Sequence, residues 1–133
     1  MKSNFLLGLL ILVAVGFGST EAFVFAADAP PHIARVWHGR TTNAKAEEYR
    51  VYLADQIKGF ISIKGNLGYE MLSEKVGDET HFMVISYWNS KDAIHAYAGA
   101  EIGQTHGLKR DSEFLIAPEK TVHNYDIVVD RVK

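Results

Sequence analysis

The chain has 133 residues, of which 47% are hydrophobic and 23% charged, a balance typical of one globular domain. Its formal net charge of -2 at pH 7 shows no surplus of basic residues, which argues against nucleic acid as a partner. The chain contains no cysteine, so disulfides, thiolate metal sites and a cysteine nucleophile are excluded.

Residues 1–26 have the three-part pattern of a secretory signal peptide. Lys2 precedes an almost uninterrupted apolar stretch from Phe5 to Phe17, and "VFA" at 24–26 is a suitable small-residue cleavage site. The apolar stretch is short for a membrane span, which takes about 20 residues. We therefore predict a periplasmic or secreted protein that would meet a membrane only through an uncleaved signal segment.

The remaining chain predicts an extended leader over residues 27–31, followed by one domain over 32–130. The domain opens with an alternating strand at 32–39 and a helix at 41–60, which Thr42 or Asn43 can cap. One face of this helix carries an apolar stripe. The stripe comprises Ala46, Tyr49, Leu53, Ile57 and Phe60.

The second half of the domain predicts two strands, a helix and a final strand. The strands at 66–75 and 81–88 flank a Gly-Asp turn, and the helix at 91–98 begins after Asn89 or Ser90. The last strand is predicted at 121–129. The order β-α-β-β-α-β predicts a ferredoxin-like α+β sandwich. The strand at 81–88 is apolar on both faces, so both faces should be covered. In a homodimer the partner subunit would cover the face that the helices leave open.

Four segments resemble the antibiotic biosynthesis monooxygenase (ABM) family. They are "IARVWHGR", "GNLGYEML", "HFMVISYWNSKDAIHAYAG" and "EKTVHNYDIV". The resemblance covers residues 32–130, and its most recognisable part is the W-x-S-x-x-A-I segment from Trp88 to Ile94. It implies a dimeric α+β barrel with a pocket between sheet and helices. The family includes cofactor-independent oxygenases of polycyclic phenols and quinols, haem-degrading enzymes, and small proteins without a known reaction.

Three residues are candidates for catalysis: Trp88, His106 and His38. The resemblance to the haem-degrading branch implies that Trp88 lines the pocket, although a core aromatic packed on the second helix would have the same sequence. His106 follows the second helix, near where that branch places an axial histidine, and it could also act as a base or be an exposed loop residue. His38 could supply a polar group from the first strand or lie in solvent.

Five further residues are candidates for binding a flat substrate. They are Trp37, Arg35, Phe82, Tyr69 and Tyr97. The aromatic residues could equally fill the core. Arg35, if it faces inward, requires an acidic partner or an anionic ligand, because an unpaired buried charge is costly.

Three functions remain open from the sequence. The first is an ABM-type oxygenase that acts on an electron-rich aromatic or a quinol without a tightly bound cofactor. The second is a haem-binding or haem-degrading protein, although the first strand lacks the asparagine of that branch. The third is a non-enzymatic module that binds a small ligand. The six histidines show no metal-binding spacing, so no metal site is predicted.

Overall fold

The structure is a computed structural model that describes residues 31–131. The predicted signal peptide at 1–26, and the predicted leader except for its last residue, lie outside the described residues. No helix within residues 31–131 is long and apolar enough to cross a membrane.

The described chain confirms the β-α-β-β-α-β order, with one additional short helix before the last strand. The elements are β1 (Ile33–Thr42), α1 (Asn43–Ile57), a 3-10 turn (Lys58–Ser62), β2 (Asn66–Val76), β3 (Glu79–Trp88), α2 (Lys91–Ala98), α3 (Asp111–Phe114) and β4 (His123–Asp126). The strands form one antiparallel sheet in the order β2-β3-β1-β4. β3 is therefore an inner strand, as its apolar sequence predicts.

The predicted bounds of the first helix and of the last strand were wrong at both ends. The last strand covers only 123–126 instead of 121–129, because its residue Asp126 already lies opposite Ile33, the first residue of β1. Thr121 instead forms an isolated bridge with Gln104. The first helix begins after Thr42, which still pairs with β3, and the α-helix ends at Ile57, where the 3-10 turn takes over.

The two main helices begin differently. Thr42 precedes α1 without a capping side-chain hydrogen bond, whereas the Asn43 side chain fixes the start of the helix to the β2–β3 hairpin. Its Nδ2 donates to the carbonyl of Gly77 at 2.9 Å, and its Oδ1 accepts from the Thr80 hydroxyl at 2.8 Å. Ser90 caps α2, because its Oγ accepts from the amide of Ala93 at 3.2 Å.

The three helices of the described chain pack on one face of the sheet, in two apolar clusters. Tyr49, Leu53 and Ile57 of α1 pack with Phe82 and Val84 of β3 and with Phe114 of α3. Ile33 and Trp88 pack with Ile94 and Ala98 of α2. This helix-covered face holds the residues on which the functional hypotheses depend. The opposite face carries a second apolar set on the four strands, comprising Ala34, Val36, Leu72, Met83, Ile85, Tyr87 and Tyr125.

Candidate functional site

A cavity of about 90 Å³ lies between the helix-covered face of the sheet, α1 and α2. The segment 105–111, which follows α2, closes another side. Most of the wall is apolar and is formed by Trp37, Leu53, Ile57, Phe60, Val84 and Leu108. Exposed residues at its rim, Gln56 and His106, open it to solvent.

The position of the Trp37 side chain in the cavity wall depends on Gly39, two residues further along the strand. Trp37 and Gly39 lie on the same face of β1, and the indole ring lies over Gly39. A Cβ atom at Gly39 would come within 2.3 Å of Cη2 of Trp37. Gly39 is therefore required for this position of the ring, because any side chain there would displace it.

Arg35 is buried at the cavity wall, with 7% of its surface exposed. Its Nη1 donates to the Ile102 carbonyl and to Oδ1 of Asn124 (3.1 Å), and its Nη2 donates to the Gln104 carbonyl (3.2 Å). Within residues 31–131 no carboxylate pairs with Arg35, so the acidic partner considered from the sequence is replaced by neutral acceptors. Burial lowers the pKa of this guanidinium, and the nearby Tyr97 hydroxyl acts in the opposite direction.

Tyr97 lines the cavity, whereas Trp88 does not. The two rings stack, with centroids 5.5 Å apart and planes inclined by 25°. Trp88 is fully buried, and its Nε1 donates to Oγ of Ser86 at 2.9 Å. Burial raises the pKa of the Tyr97 phenol, and the charge of Arg35 works against this rise. Tyr97 therefore presents a neutral hydroxyl near neutral pH.

His106 also lines the cavity, and one of its ring nitrogens is committed. Its Nε2 lies 2.8 Å from the carbonyl oxygen of Ala98, at the end of α2. Because a carbonyl oxygen only accepts, Nε2 carries the proton in this bond. Within the described chain, Nδ1 has no hydrogen-bond partner, so its lone pair is free to accept a proton or to bind a metal.

The structure brings together four of the eight predicted site residues. Arg35, Trp37, Tyr97 and His106 surround the cavity. The other four lie elsewhere: Trp88, Phe82, Tyr69 and His38. Trp88 and Phe82 are buried in the core clusters, and Tyr69 packs edge-on against Phe60 with centroids 5.9 Å apart. His38 lies opposite Met83 on the other face of the sheet, so its side chain cannot reach this cavity.

The family model for antibiotic biosynthesis monooxygenase matches residues 35–104, which is more than half of the chain. The chain belongs to the ABM family. The resemblance seen in the sequence is therefore confirmed. No curated protein matches the chain.

Solved structures share the ABM fold at low sequence identity. A Bacillus cereus protein named as a candidate antibiotic biosynthesis monooxygenase is 12% identical, with a TM-score of 0.55 over 77% of this chain and 97% of that one. A Nitrosomonas europaea protein of unknown function is 13% identical, with a TM-score of 0.57 over 77% and 95%. MhuD of Mycobacterium tuberculosis, a haem degrader with two haems bound in its active site, is 18% identical, with a TM-score of 0.52 over 75% and 99%. These similarities establish the fold of this ABM protein.

Three polar groups of the ABM cavity were not predicted. Asp111 accepts from the Tyr49 hydroxyl (3.0 Å) and from the Leu108 amide (2.7 Å). Thr105 has a buried Oγ1 without a hydrogen-bond partner in the described chain. Ser86 lines the cavity beside Arg35. A separation of 62 residues between Tyr49 and Asp111 leaves no local pattern that could have revealed the pair.

Within residues 31–131, no group of three histidine, aspartate or glutamate residues could hold a metal ion.

Proposed function

We propose that this ABM protein is a monooxygenase that oxidises a flat aromatic or quinol substrate in the cavity, without a tightly bound cofactor. The observation that carries the proposal is the hydrogen bond from Nε2 of His106 to the Ala98 carbonyl. In the neutral ring this bond fixes the tautomer, so that Nδ1 is the nitrogen that can accept a proton, on a residue of the cavity wall. A histidine held in this way can act as a general base.

In the proposed reaction, His106 accepts the proton of a phenolic hydroxyl. The resulting phenolate supplies the electrons that dioxygen takes up, a ring carbon forms a bond to one oxygen atom, and the other oxygen atom leaves as water. The product is a quinone, so the reaction balances without an external reductant. The charge of Arg35 at the cavity wall favours an anionic ligand, and the apolar wall keeps water from the reactive intermediate.

Oxygen uptake tests this reaction. Simple hydroquinones and polycyclic phenols are supplied to the purified protein, and His106→Gln is compared with His95→Gln, a change in an exposed histidine of α2. We expect His106→Gln to lower turnover by about 100-fold or more and His95→Gln to leave it unchanged. Full activity of His106→Gln would remove the base from the mechanism. Saturable binding without turnover would instead favour the non-enzymatic binding module.

Haem is the second candidate ligand, because His106 lies at the wall and the haem degrader MhuD has the same fold. The residues as arranged do not fit it. The cavity of about 90 Å³ is smaller than a cavity of about 150 Å³ that holds benzene, so a tetrapyrrole would require residues of the wall to move. A hemin titration decides: a saturable Soret shift at one hemin per subunit, abolished in His106→Ala, would establish haem binding. Bleaching on addition of ascorbate with catalase present would then establish degradation.

The proposal includes a homodimer formed through the open face of the sheet. ABM proteins are commonly dimeric. On this face Leu72 and Tyr125 are 47% and 54% exposed in the single chain, beside Val36, Met83 and Ile85 of the inner strands. A second copy would bury this apolar surface, at a gain of roughly 1.5–3 kcal/mol for each large side chain that becomes fully covered.

We also propose that the protein is exported, as the sequence of residues 1–26 indicates. Mass spectrometry of the protein recovered from its natural source tests this proposal. A mature chain that begins at Ala27 is the expected result, and an intact Met1 in a cytoplasmic fraction would contradict it.

A further inference from the structure

Arg35 is a buried cation whose charge is not neutralised by the described part of the chain. Its partners are two backbone carbonyls and the side-chain amide of Asn124. These neutral acceptors satisfy hydrogen bonds but supply no counter-charge, and a buried charge is costly until it meets one. The position of Arg35 on the wall of an open cavity allows a ligand to supply that charge.

The guanidinium also retains unused donors. It has five N–H groups, and three of them donate to Ile102, Asn124 and Gln104, which leaves the Nε–H and one N–H of Nη2 without a partner within residues 31–131. Nε and Nη2 are neighbouring nitrogens of the planar fork. Two adjacent N–H groups match the two oxygen atoms of a carboxylate, which arginine binds in a bidentate manner.

A second unused group lies on the same wall. Thr105 is a residue of the cavity wall, and its hydroxyl oxygen is buried without a hydrogen-bond partner in the described chain. Thr105 directly follows Gln104, whose carbonyl accepts from Arg35. A hydroxyl can donate to an anion, and a buried polar group without a partner is uncommon in native proteins.

We infer that the ligand of this cavity is a small aromatic carboxylate, whose carboxylate group binds the free N–H groups of Arg35. The inference rests on the proposed function and names the class of its substrate. The wall formed by Trp37, Phe60 and Val84 suits the face of an aromatic ring. Because the cavity of about 90 Å³ is smaller than one that encloses benzene, the ring would extend through the mouth. A haem propionate would offer Arg35 the same chemistry, so the test distinguishes the two sources.

The first experiment compares benzoate with benzamide, which has the same shape but no charge. Binding to the unmodified protein is measured by calorimetry, and the Nε–H resonance of Arg35 is followed by NMR. A charge-assisted bond predicts that benzoate binds about 10- to 100-fold more tightly than benzamide and shifts the Arg35 resonance. Equal affinities, or a benzoate complex that leaves this resonance unchanged, would overturn the inference without any variant.

Variants of Arg35 test whether the carboxylate of benzoate binds at this residue. Arg35→Met should abolish the preference for benzoate, whereas Arg35→Lys should keep part of it, because lysine retains the charge but not the fork. Arg50→Met is the matched control, since Arg50 is an exposed arginine of α1 paired with Glu47. A folded Arg35→Met protein that still prefers benzoate would overturn the inference.

One further comparison and two combinations of results separate the possible outcomes. Esterification removes the charges of the propionates in hemin dimethyl ester. If hemin binds more tightly than this ester and benzoate does not bind, the small aromatic acid is overturned in favour of a propionate. If benzoate binds as expected but no phenol supports oxygen uptake, the reaction fails and the ligand class stands. If neutral quinols are oxidised without any preference for benzoate over benzamide, the reaction stands and the ligand class fails.

Discussion

Tyr97 stacks on Trp88 with ring centroids 5.5 Å apart, and of these two residues only Tyr97 lines the cavity. The tryptophan of the family segment is thus one layer removed from the space in which a ligand would bind. Any direct contact between Trp88 and a ligand requires the Tyr97 ring to move. With 37% of its surface exposed, Tyr97 is the less confined of the two residues.

Removal of the Tyr97 ring should therefore expose Trp88. The chain has two tryptophans, so Trp37→Phe leaves Trp88 as the single tryptophan, whose emission can be excited selectively. In this background we expect Tyr97→Ala to increase quenching of Trp88 by acrylamide, because the stacked ring no longer covers the indole. Tyr125→Ala, on the opposite face of the sheet, is the control and should leave quenching unchanged. Equal quenching with and without Tyr97 would mean that other groups shield Trp88.

Gly39→Ala should displace the Trp37 indole from its position in the cavity wall. The added methyl group would meet the indole at 2.3 Å, so the ring must turn away from the strand. We expect a loss of about 1–3 kcal/mol in the free energy of unfolding, together with weaker ligand binding. Gly59→Ala is the matched control, because no atom lies within 4 Å of a Cβ at that position. Equal stability of the two variants in urea unfolding would contradict the close approach of Trp37 to Gly39.

The Tyr49–Asp111 pair predicts a loss of stability at high pH. Burial, and next the charge of Asp111, raise the pKa of the Tyr49 phenol above its ordinary value of 10.0. The folded state therefore keeps a proton that the unfolded chain loses above pH 10, so this contribution is complete below that pH and declines above it.

Tyr49→Phe tests this contribution. The variant should have a smaller decline of the unfolding free energy above pH 10, by up to about 1.4 kcal/mol per pH unit for one proton. It should also lose about 1–3 kcal/mol at neutral pH, since a buried Asp111 oxygen loses its donor. Urea unfolding across this pH range measures both effects. The same pH slope in both proteins would show that Tyr49 does not cause the decline.

Ile85→Lys should break the proposed homodimer. Ile85 lies opposite Val36 in the middle of the open sheet face, where a lysine would bring a charge into the interface. Sedimentation should then show the mass of one chain. Val51→Lys, on the exposed side of α1, should keep the mass of the unmodified protein. A monomeric unmodified protein at micromolar concentration would contradict the dimer itself.

Strands and helices were largely predictable because local patterns determine them. The alternation along β1 places Arg35 and Trp37 on one face and His38 on the other, as the structure has them. The length of β4 was not predictable, since it depends on where its partner β1 begins. Val128 and Val129, apolar residues of the predicted strand, lie beyond the last paired position and are 89% and 75% exposed.

The cavity was only partly predictable. Periodicity identifies the face on which a side chain lies, but not which of two aromatic rings covers the other. The order of these two rings determines that Tyr97, and not Trp88, lines the cavity. Similarly, the neutral partners of Arg35 come from segments 67 and 89 residues away in sequence. Their positions follow from the closed fold and not from a motif.

Arg35 also connects two parts of the chain that have no strand pairing with one another. The carbonyls of Ile102 and Gln104, which it binds, belong to the segment that leads into Thr105 and His106. Arg35 thus holds this segment to β1. An anion that enters the cavity would compete with the two carbonyls for interaction with the guanidinium. Occupation of the cavity should accordingly change the rate of amide hydrogen exchange along 102–106, while the distant β2–β3 hairpin keeps its own rate. The exchange rate of the segment 102–106 would then report whether the cavity is occupied.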